Sequence, residues 1–497
     1  MVFVEKFRLE IIVFVVGAAV MILELTGSRV LAPYLGTSIF VWTSLIGVIL
    51  ASLSLGYFLG GRLADRQASY ENFSKIIFLA AVSTGAIAFL KSHVLLLVQV
   101  GISDIRIGSI VATIILFSPA TIFLGMVSPY AVKLKIKSIK KTGATVGSLY
   151  AVSTVGSILG TFLAGFLLIS YLGHTRILLF VSLCLILTSA LAFFKNLEKV
   201  KLTFFLVVLI SIYGSYLVDT ENREQGFIDV DTKYNRVLIF DSVDPKSNRP
   251  IKAMIFDPKA TQSAMFLDSD ELVFEYSKFY RLAEHFKENI GRSLVIGGAA
   301  YSYPKEYLKK YPAAYIDVVE IDPALTDLAR KYFRLRDNPK LNIYHEDGRV
   351  FIDTTKNRYD AIFMDAFNSS FYVPYQLTTR EAVNGVHRLL ADDGIVIVNL
   401  ISAVEGEKGK FLRAEYLTYK EVFGNVYLFP VEDSGDGNKV QNIILIASKS
   451  TDAPFFESNE PEISRYLKHL WTGEVAKDVP ALTDDYAPVD QYLKELI

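Results

Sequence analysis

The chain has 497 residues, 52% of them hydrophobic, with a formal net charge of −1 and a mean hydropathy of +0.34. That length is more than one domain's worth, and the near-neutral total gives no support to nucleic-acid binding. Its single cysteine, Cys184, excludes an intramolecular disulfide, and no Cys/His group has metal-ligand spacing.

The mean hides two unlike halves. Residues 1–219 hold 17 Lys+Arg against 8 Asp+Glu, and the remainder holds 34 against 44. A basic, apolar half before an acidic, mixed half reads as a membrane domain joined to a soluble one. Apolar runs fall near 9–25, 39–61, 73–90, 107–129, 145–172, 177–194 and 202–218. Crossing ~30 Å of hydrocarbon takes ~20 residues of helix, so these runs predict about seven spans. The run at 93–102 is too short and reads as an interfacial piece. Basic residues precede the first run without a small-residue cleavage site after it, which reads as a first membrane helix and not a removed signal. Lysines and arginines favour the N-terminal side, which puts that side in the cytoplasm. Seven spans then put the C-terminal domain outside, so its side of the membrane stays open. Glu24 and Arg29, in LELTGSRVLAPYLG at the end of the first run, read as an interfacial pair. The small-residue patterns GYFLGGRLADR (56–66) and VGSLYAVSTVGSILGTFLAG (146–165) suit close helix packing.

Beyond residue 219 the pattern changes. Strand-like runs at 236–240, 251–256 and 263–267, then a helical stretch at about 270–288, make a small β subdomain over 220–290. Over 291–450 strands (293–297, 315–320, 341–344, 359–364, 394–400) alternate with helices (303–310, 323–333, 348–355, 379–390, 407–421), and strands at 425–430 and 441–447 follow. Residues 451–497 read as a tail packing on this domain. The expected fold class is an N-terminal all-α transmembrane bundle, followed by a C-terminal α/β Rossmann-like domain with a small N-terminal β subdomain.

In such sheets ligands bind beyond the carboxyl ends of the strands. Gly297 and Gly298 end the first strand, where glycine allows a sharp turn and close approach of a ligand. Glu320 ends the second, in VVEID with Asp322, and can accept both hydroxyls of a ribose. Asp347, followed by Gly348 in HEDGR, follows the third strand and is placed to meet an adenine edge. Asp365, in FMDAFNSS, ends the fourth and faces the reacting atoms. A dinucleotide would require a fuller G-x-G-x-x-G and a helix start for its pyrophosphate. The turn LVIGGAAYSYP (294–304) instead suits S-adenosylmethionine or its decarboxylated form as co-substrate, with no metal.

On these residues, roughly 230–450 resembles the spermidine synthase family of aminopropyltransferases, which share the methyltransferase Rossmann-like fold. The first membrane runs, through GRLADR, and LTDDYAPVD (482–490) are similar to multi-pass membrane proteins fused to such a domain. The resemblance implies that Tyr234 flanks the substrate pocket, Gln262 contacts the cofactor, Glu320 holds the ribose, Asp347 meets the adenine and Asp365 is the general base. Against the family's Gly-Gly-Gly-Asp-Gly, this chain reads GGAAY, with Ala300 in the acid's place. The second acid of the family's catalytic loop is Asn368, and a histidine beside the cofactor is Glu275. Glu275, Asn368 and Tyr372 are therefore expected on the substrate side, with Asp257, Asp484 or Asp485 as candidate replacements for the lost acids. The expected activity is membrane-bound transfer of an aminopropyl group to an amine in polyamine biosynthesis. Methyl transfer from S-adenosylmethionine, and a non-catalytic membrane sensor or transporter binding an adenosyl ligand, are the alternatives. Expected partners are a small-molecule amine or another acceptor and the lipid bilayer, with a homodimer left open.

Overall fold

The computed structural model describes residues 6–102, 104–136, 142–193, 226–257, 260–366, 373–450 and 454–496. They form two compact units, one the helical part with residues 231–233, the other residues 226–230 and 234 onward.

The first unit contains α1 (Arg8–Leu35), α2 (Ile39–Arg66), α3 (Tyr70–Gly101), α4 (Ile105–Lys135), α5 (Thr142–Phe162) and α6 (His174–Ala192). A π-helical turn, Leu163–Leu168, prolongs α5. Among the described residues these are six helices long and apolar enough to cross a membrane, by length and composition. The predicted span at 202–218 lies outside the described residues. The run 93–102 is not a separate interfacial piece but the last part of α3. The helix continues through Lys91, the cation that interrupts the apolar pattern, which is buried and donates to Thr175 Oγ1 at 2.5 Å. Glu24 likewise lies within α1, which runs on to Leu35.

The small-residue patterns are packing seams. A Cβ on Gly56 would stand 2.3 Å from the Ile122 carbonyl oxygen, and one on Gly60 2.6 Å from Met126 Cα, so α2 meets α4 backbone to backbone. Gly156 and Gly160 do the same between α5 and α1, at 2.1 Å from Phe14 O and 2.5 Å from Ala18 O.

The second unit has two sheets. Strands β1 (Ile228–Asp231), β2 (Arg236–Val243), β3 (Pro250–Asp257) and β4 (Ala260–Phe266) form a four-stranded sheet in chain order. The helical stretch expected at 270–288 divides into α7 (Glu275–Lys278), a 3-10 turn (Phe279–Leu282) and α8 (Ala283–Phe286). The backbone stays right-handed helical through the junctions, and the 3-10 turn buries Phe279, Tyr280 and Leu282.

Seven strands make the main sheet: β5 (Arg292–Ile296), β6 (Tyr315–Val319), β7 (Leu341–Tyr344), β8 (Tyr359–Met364), β9 (Leu390–Ser402), β10 (Asn425–Pro430) and β11 (Gln441–Ser448). Their spatial order is β10-β11-β9-β8-β5-β6-β7, with β5 to β9 parallel and β11 antiparallel between β9 and β10. Helices α9 (Ser302–Lys310), α10 (Pro323–Tyr332), α11 (Gly348–Thr354), α12 (Arg380–Leu389) and α13 (Lys410–Val422) connect them. This is the expected Rossmann-like fold. Strand order reverses between β5 and β8, which opens a crevice at their carboxyl ends. Two further short helices, α14 (Pro461–Leu467) and α15 (Val489–Leu493), and strand β1 carry no pattern that predicted them.

One buried group stands apart from this apolar interior. Glu415 on α13 is 2% exposed and makes no hydrogen bond or ion pair among the described residues. It lines a cavity of about 20 Å³ with Met364, Leu377, Val398 and Tyr419. Burial pushes its carboxyl well above the usual range. The folded state thus holds this proton more tightly than the unfolded chain does. Stability is intact below the unfolded pKa and is lost as pH rises through the folded one. Thermal melts of the full chain in detergent, between about pH 6 and pH 9, are expected to show that alkaline loss in the wild type and a flatter profile in Glu415→Gln. Parallel profiles would reject the assignment.

Candidate active site

The turn after β5 is stitched to both neighbouring strands. Gly297 N–H donates to Val319 O at 2.9 Å, and Asp365 N–H donates to Ile296 O at 3.0 Å. Gly297 has φ +102°, and a Cβ there would lie 2.3 Å from the Asp365 carbonyl oxygen, so no side chain fits. Ala299 (φ +44°) and Tyr301 (φ +55°) are left-handed too. For residues other than glycine, such conformations cost ~1–3 kcal/mol each and persist only where the surroundings impose them.

Glu320 imposes the first. One carboxylate oxygen accepts the N–H groups of Gly298 (2.9 Å) and Ala299 (3.0 Å), and the other accepts Asp322 N–H (3.0 Å). Bonds to a charged group contribute ~1.5–3 kcal/mol each, which offsets the backbone cost. Burial pushes the Glu320 carboxyl up, and the three N–H groups oppose that shift. Tyr301 is held by its own side chain, whose buried hydroxyl lies 2.7 Å from Thr326 Oγ1. Thr326 in turn lies 2.9 Å from His345 Nε2.

Asp322 and Asp347 cap helices. Asp322 accepts Ala324 N–H at 3.1 Å at the start of α10, and Asp347 accepts Arg349 and Val350 N–H (2.8 and 3.2 Å) at the start of α11. Gly348 packs under the turn, where a Cβ would meet Ile296 Cγ2 at 2.8 Å.

Asp365 follows β8 at the other side of the crevice. Asn399 Nδ2 donates to one carboxylate oxygen at 3.1 Å, and the Tyr276 hydroxyl donates to the other at 3.4 Å. The buried Tyr280 hydroxyl faces the same carboxyl but meets no acceptor with full hydrogen-bond geometry among the described residues. Burial raises the Asp365 carboxyl above the ordinary aspartate range, and Asn399 and the two tyrosine hydroxyls oppose the rise. Sequence reasoning missed these partners. Tyr276 and Tyr280 stand four residues apart, which places two hydroxyls on one helical face. Asn399 is the amide in the apolar run IVIVNLI.

The remaining expected site residues are dispersed. Gln262, on β4, spends its side-chain oxygen on Phe256 N–H at 2.8 Å. Tyr234 lies between β1 and β2. Glu275 opens α7 and pairs with Lys278 (2.9 Å) and Arg465 (3.4 Å). Asp484 pairs with Arg349 at 2.8 Å. Asn368, Tyr372 and the Asp257 side chain lie outside the described residues. Ala300 is fully buried in an apolar cluster with Leu325, Leu328 and Phe333. No group of three or more His, Cys, Asp or Glu side chains that could hold a metal occurs among the described residues.

The crevice therefore offers a tight, side-chain-free turn, a braced carboxylate and two capped helix starts on one side, and a half-buried carboxyl with an orphan hydroxyl donor on the other. At position 297 that arrangement leaves no room for a side chain.

Known proteins resemble the chain in this region. Residues 275–428 match the spermine/spermidine synthase domain. A polyamine aminopropyltransferase of Vibrio vulnificus is 31% identical over 172 residues, covering 34% of this chain and 55% of its own. A probable polyamine aminopropyl transferase of Bifidobacterium longum is 31% identical over 224 residues, covering 41% and 49%. The chain thus spans about half the length of these curated relatives. The crystal structure of a probable spermidine synthase from Corynebacterium glutamicum is 23% identical, with a TM-score of 0.41, and covers 50% of this chain and 94% of its own.

Two substitutions test the strained turn in opposite directions. Gly297→Ala puts a methyl group into the Asp365 carbonyl and is expected to destabilise by roughly 2 kcal/mol or more. Ala299→Gly relieves a left-handed alanine and is expected to be neutral or stabilising by up to about 1 kcal/mol. Melting temperatures that move the same way in both variants would show that the turn is not strained as described.

Proposed function

We propose, from the spermine/spermidine synthase domain that residues 275–428 carry, that this chain transfers an aminopropyl group from decarboxylated S-adenosylmethionine to an amine. The observation that carries this reading is the Asp365 carboxyl, half-buried beside the strained Gly297 turn and fronted by Tyr276, Tyr280 and Asn399.

The sulfonium of the donor is already activated, so the chain's task is positioning and proton removal. Glu320 and the Gly297–Gly298 backbone would hold the ribose, and the start of α11 at Asp347 and Gly348 the adenine. Tyr276 and Tyr280 would orient the acceptor nitrogen. Its lone pair attacks the methylene next to sulfur, the carbon–sulfur bond breaks, and its electron pair stays on sulfur to give methylthioadenosine. The proton lost from nitrogen goes to Asp365. An alkyl amine with a pKa near 10.4 costs roughly 4–5 kcal/mol to deprotonate at pH 7. A carboxylate whose pKa is raised by burial is a stronger base toward that proton than an exposed aspartate. The six long apolar helices support a multi-pass membrane protein, with the lipid bilayer as its setting.

Against the family it resembles, the chain has alanine at position 300 and asparagine at 368 where acids are expected, which favours a second reading, methyl transfer from intact S-adenosylmethionine. Purified protein incubated with each labelled donor and an amine separates the two. Methylthioadenosine release supports the first reading, and adenosylhomocysteine supports the second. Asp365→Asn is expected to lower turnover by about 10²-fold or more without lowering the melting temperature, since it removes a half-buried charge. Because the base must be ionised, wild-type activity falls as pH drops through the raised pKa of Asp365, so the acid limb lies above the ordinary aspartate range. Undiminished turnover in Asp365→Asn would remove Asp365 from the mechanism.

A further inference from the structure

We infer that one end of the helical unit, where α1 and α3 begin and α2 and α4 finish, is a binding surface for anionic phospholipid, centred on Arg62 and Arg66 of α2. The inference rests on the membrane-spanning reading of the apolar helices and is independent of the reaction. These helix ends lie together. The Tyr130 hydroxyl of α4 donates to Gln67 O at 2.6 Å and accepts Ser69 N–H at 3.1 Å, in the turn between α2 and α3. Lys135 of α4 pairs with Glu10 of α1, and the Arg8 guanidinium of α1 stacks 3.8 Å from the centroid of the Tyr70 ring at the start of α3.

The charges at this end do not balance. Its acids among the described residues are Glu10, Asp65 and Glu71, and each is already paired: with Lys135, with Lys133 at 2.7 Å and with Lys75 at 2.8 Å. Lys6, Arg8, Arg62 and Arg66 meet no carboxylate among the described residues. The Arg8 Nε is buried with no acceptor among them. Arg62 and Arg66 are exposed one turn apart on the same face of α2, where like charges repel unless an anion lies between them. Phe58, one turn back, holds the Arg62 guanidinium 4.1 Å from its ring centroid.

The rest of that face favours a lipid over a free anion. Leu55, Phe58 and Leu59 are exposed and recur at three- and four-residue spacing below the two arginines, with exposed Leu50 deeper still. At 1.5 Å per residue, Leu50 stands about 18 Å from Arg62 along the axis. Half of a ~30 Å hydrocarbon layer is ~15 Å, so this apolar stretch matches the acyl chains of one leaflet and sets the arginines at its headgroups. A guanidinium meets a phosphate with two parallel N–H bonds, which a phosphodiester headgroup can accept.

The test uses full-length protein in neutral detergent, equilibrated with phosphatidylglycerol or with phosphatidylcholine of the same acyl chains. Lipid retained per protein is measured after gel filtration. Phosphatidylglycerol is expected to bind about thirtyfold more strongly, from roughly fivefold for each unpaired arginine at an anionic headgroup. Arg62→Gln should lower that preference to about fivefold, and Arg62→Gln with Arg66→Gln should abolish it. Arg106→Gln, whose charge is spent on Asp104 at the other end of the helices, should leave it unchanged. Equal retention of the two lipids, or a preference that survives the double substitution, overturns the inference and leaves the membrane reading standing. Inorganic phosphate that removes the preference where chloride of equal ionic strength does not would assign the arginines to a free anion and overturn the lipid. A chain that stays monodisperse without detergent and retains neither lipid overturns the membrane reading and the inference with it.

Discussion

The crevice depends on the grip of the Glu320 carboxylate on backbone. Three N–H groups converge on it from the turn after β5 and from the start of α10. Without that charge, the left-handed Ala299 would lose the bond that holds it. The brace also fixes the spacing of the strand ends. Gly297 bonds to β6 and Asp365 bonds to β5, so the turn, the carboxylate and the candidate base move as one piece.

The turn shows how a glycine-poor sequence can keep a glycine-rich loop's conformation. Gly297 cannot be replaced, because a backbone carbonyl occupies the space of its missing side chain. Positions 299 and 301 are different, since each carries a side chain and the strain lies in the left-handed backbone. Ala299 is held from outside by Glu320, and Tyr301 holds itself by sending its hydroxyl to Thr326. Ala300, between them, turns into the apolar cluster that joins the small sheet to α10. An acid at that position in this chain would be buried among leucines, so its absence is part of the packing as well as of the site.

What was legible in the sequence is what local pattern encodes. The parallel strands are short apolar runs ending in glycine or acid, and those ends sit together because the fold puts every strand end on one edge. The stretch expected to be helical is helical from Glu275 to Phe286, and only its tightening to a 3-10 turn at Phe279–Leu282 carried no signal in the pattern. The partners of Asp365 were missed because they are distant in the chain, since Tyr276 is 89 residues away and Asn399 is 34. In the helical unit, Lys91 interrupts the apolar pattern, yet α3 continues through it, with the ammonium donating to Thr175, 84 residues on. Periodicity shows which face is buried; it carries no record of which polar group is met there.

Three carboxyls of the second unit, Glu320, Glu415 and Asp365, separate by how well each is solvated by protein. Glu320 has three backbone donors and can stay ionised, which suits a structural brace. Glu415 has none, so it keeps its proton and behaves as a polar flaw in an apolar wall. Asp365 lies between, with one amide and one hydroxyl bonded and a second hydroxyl nearby. A general base must ionise at modest cost and yet hold a proton well enough to take it from an amine. Glu320 spends its oxygens on three backbone N–H groups, and Glu415 has no donor to stabilise an ionised form. Of the three, only Asp365 is met by side-chain donors alone, the arrangement proposed above for proton transfer.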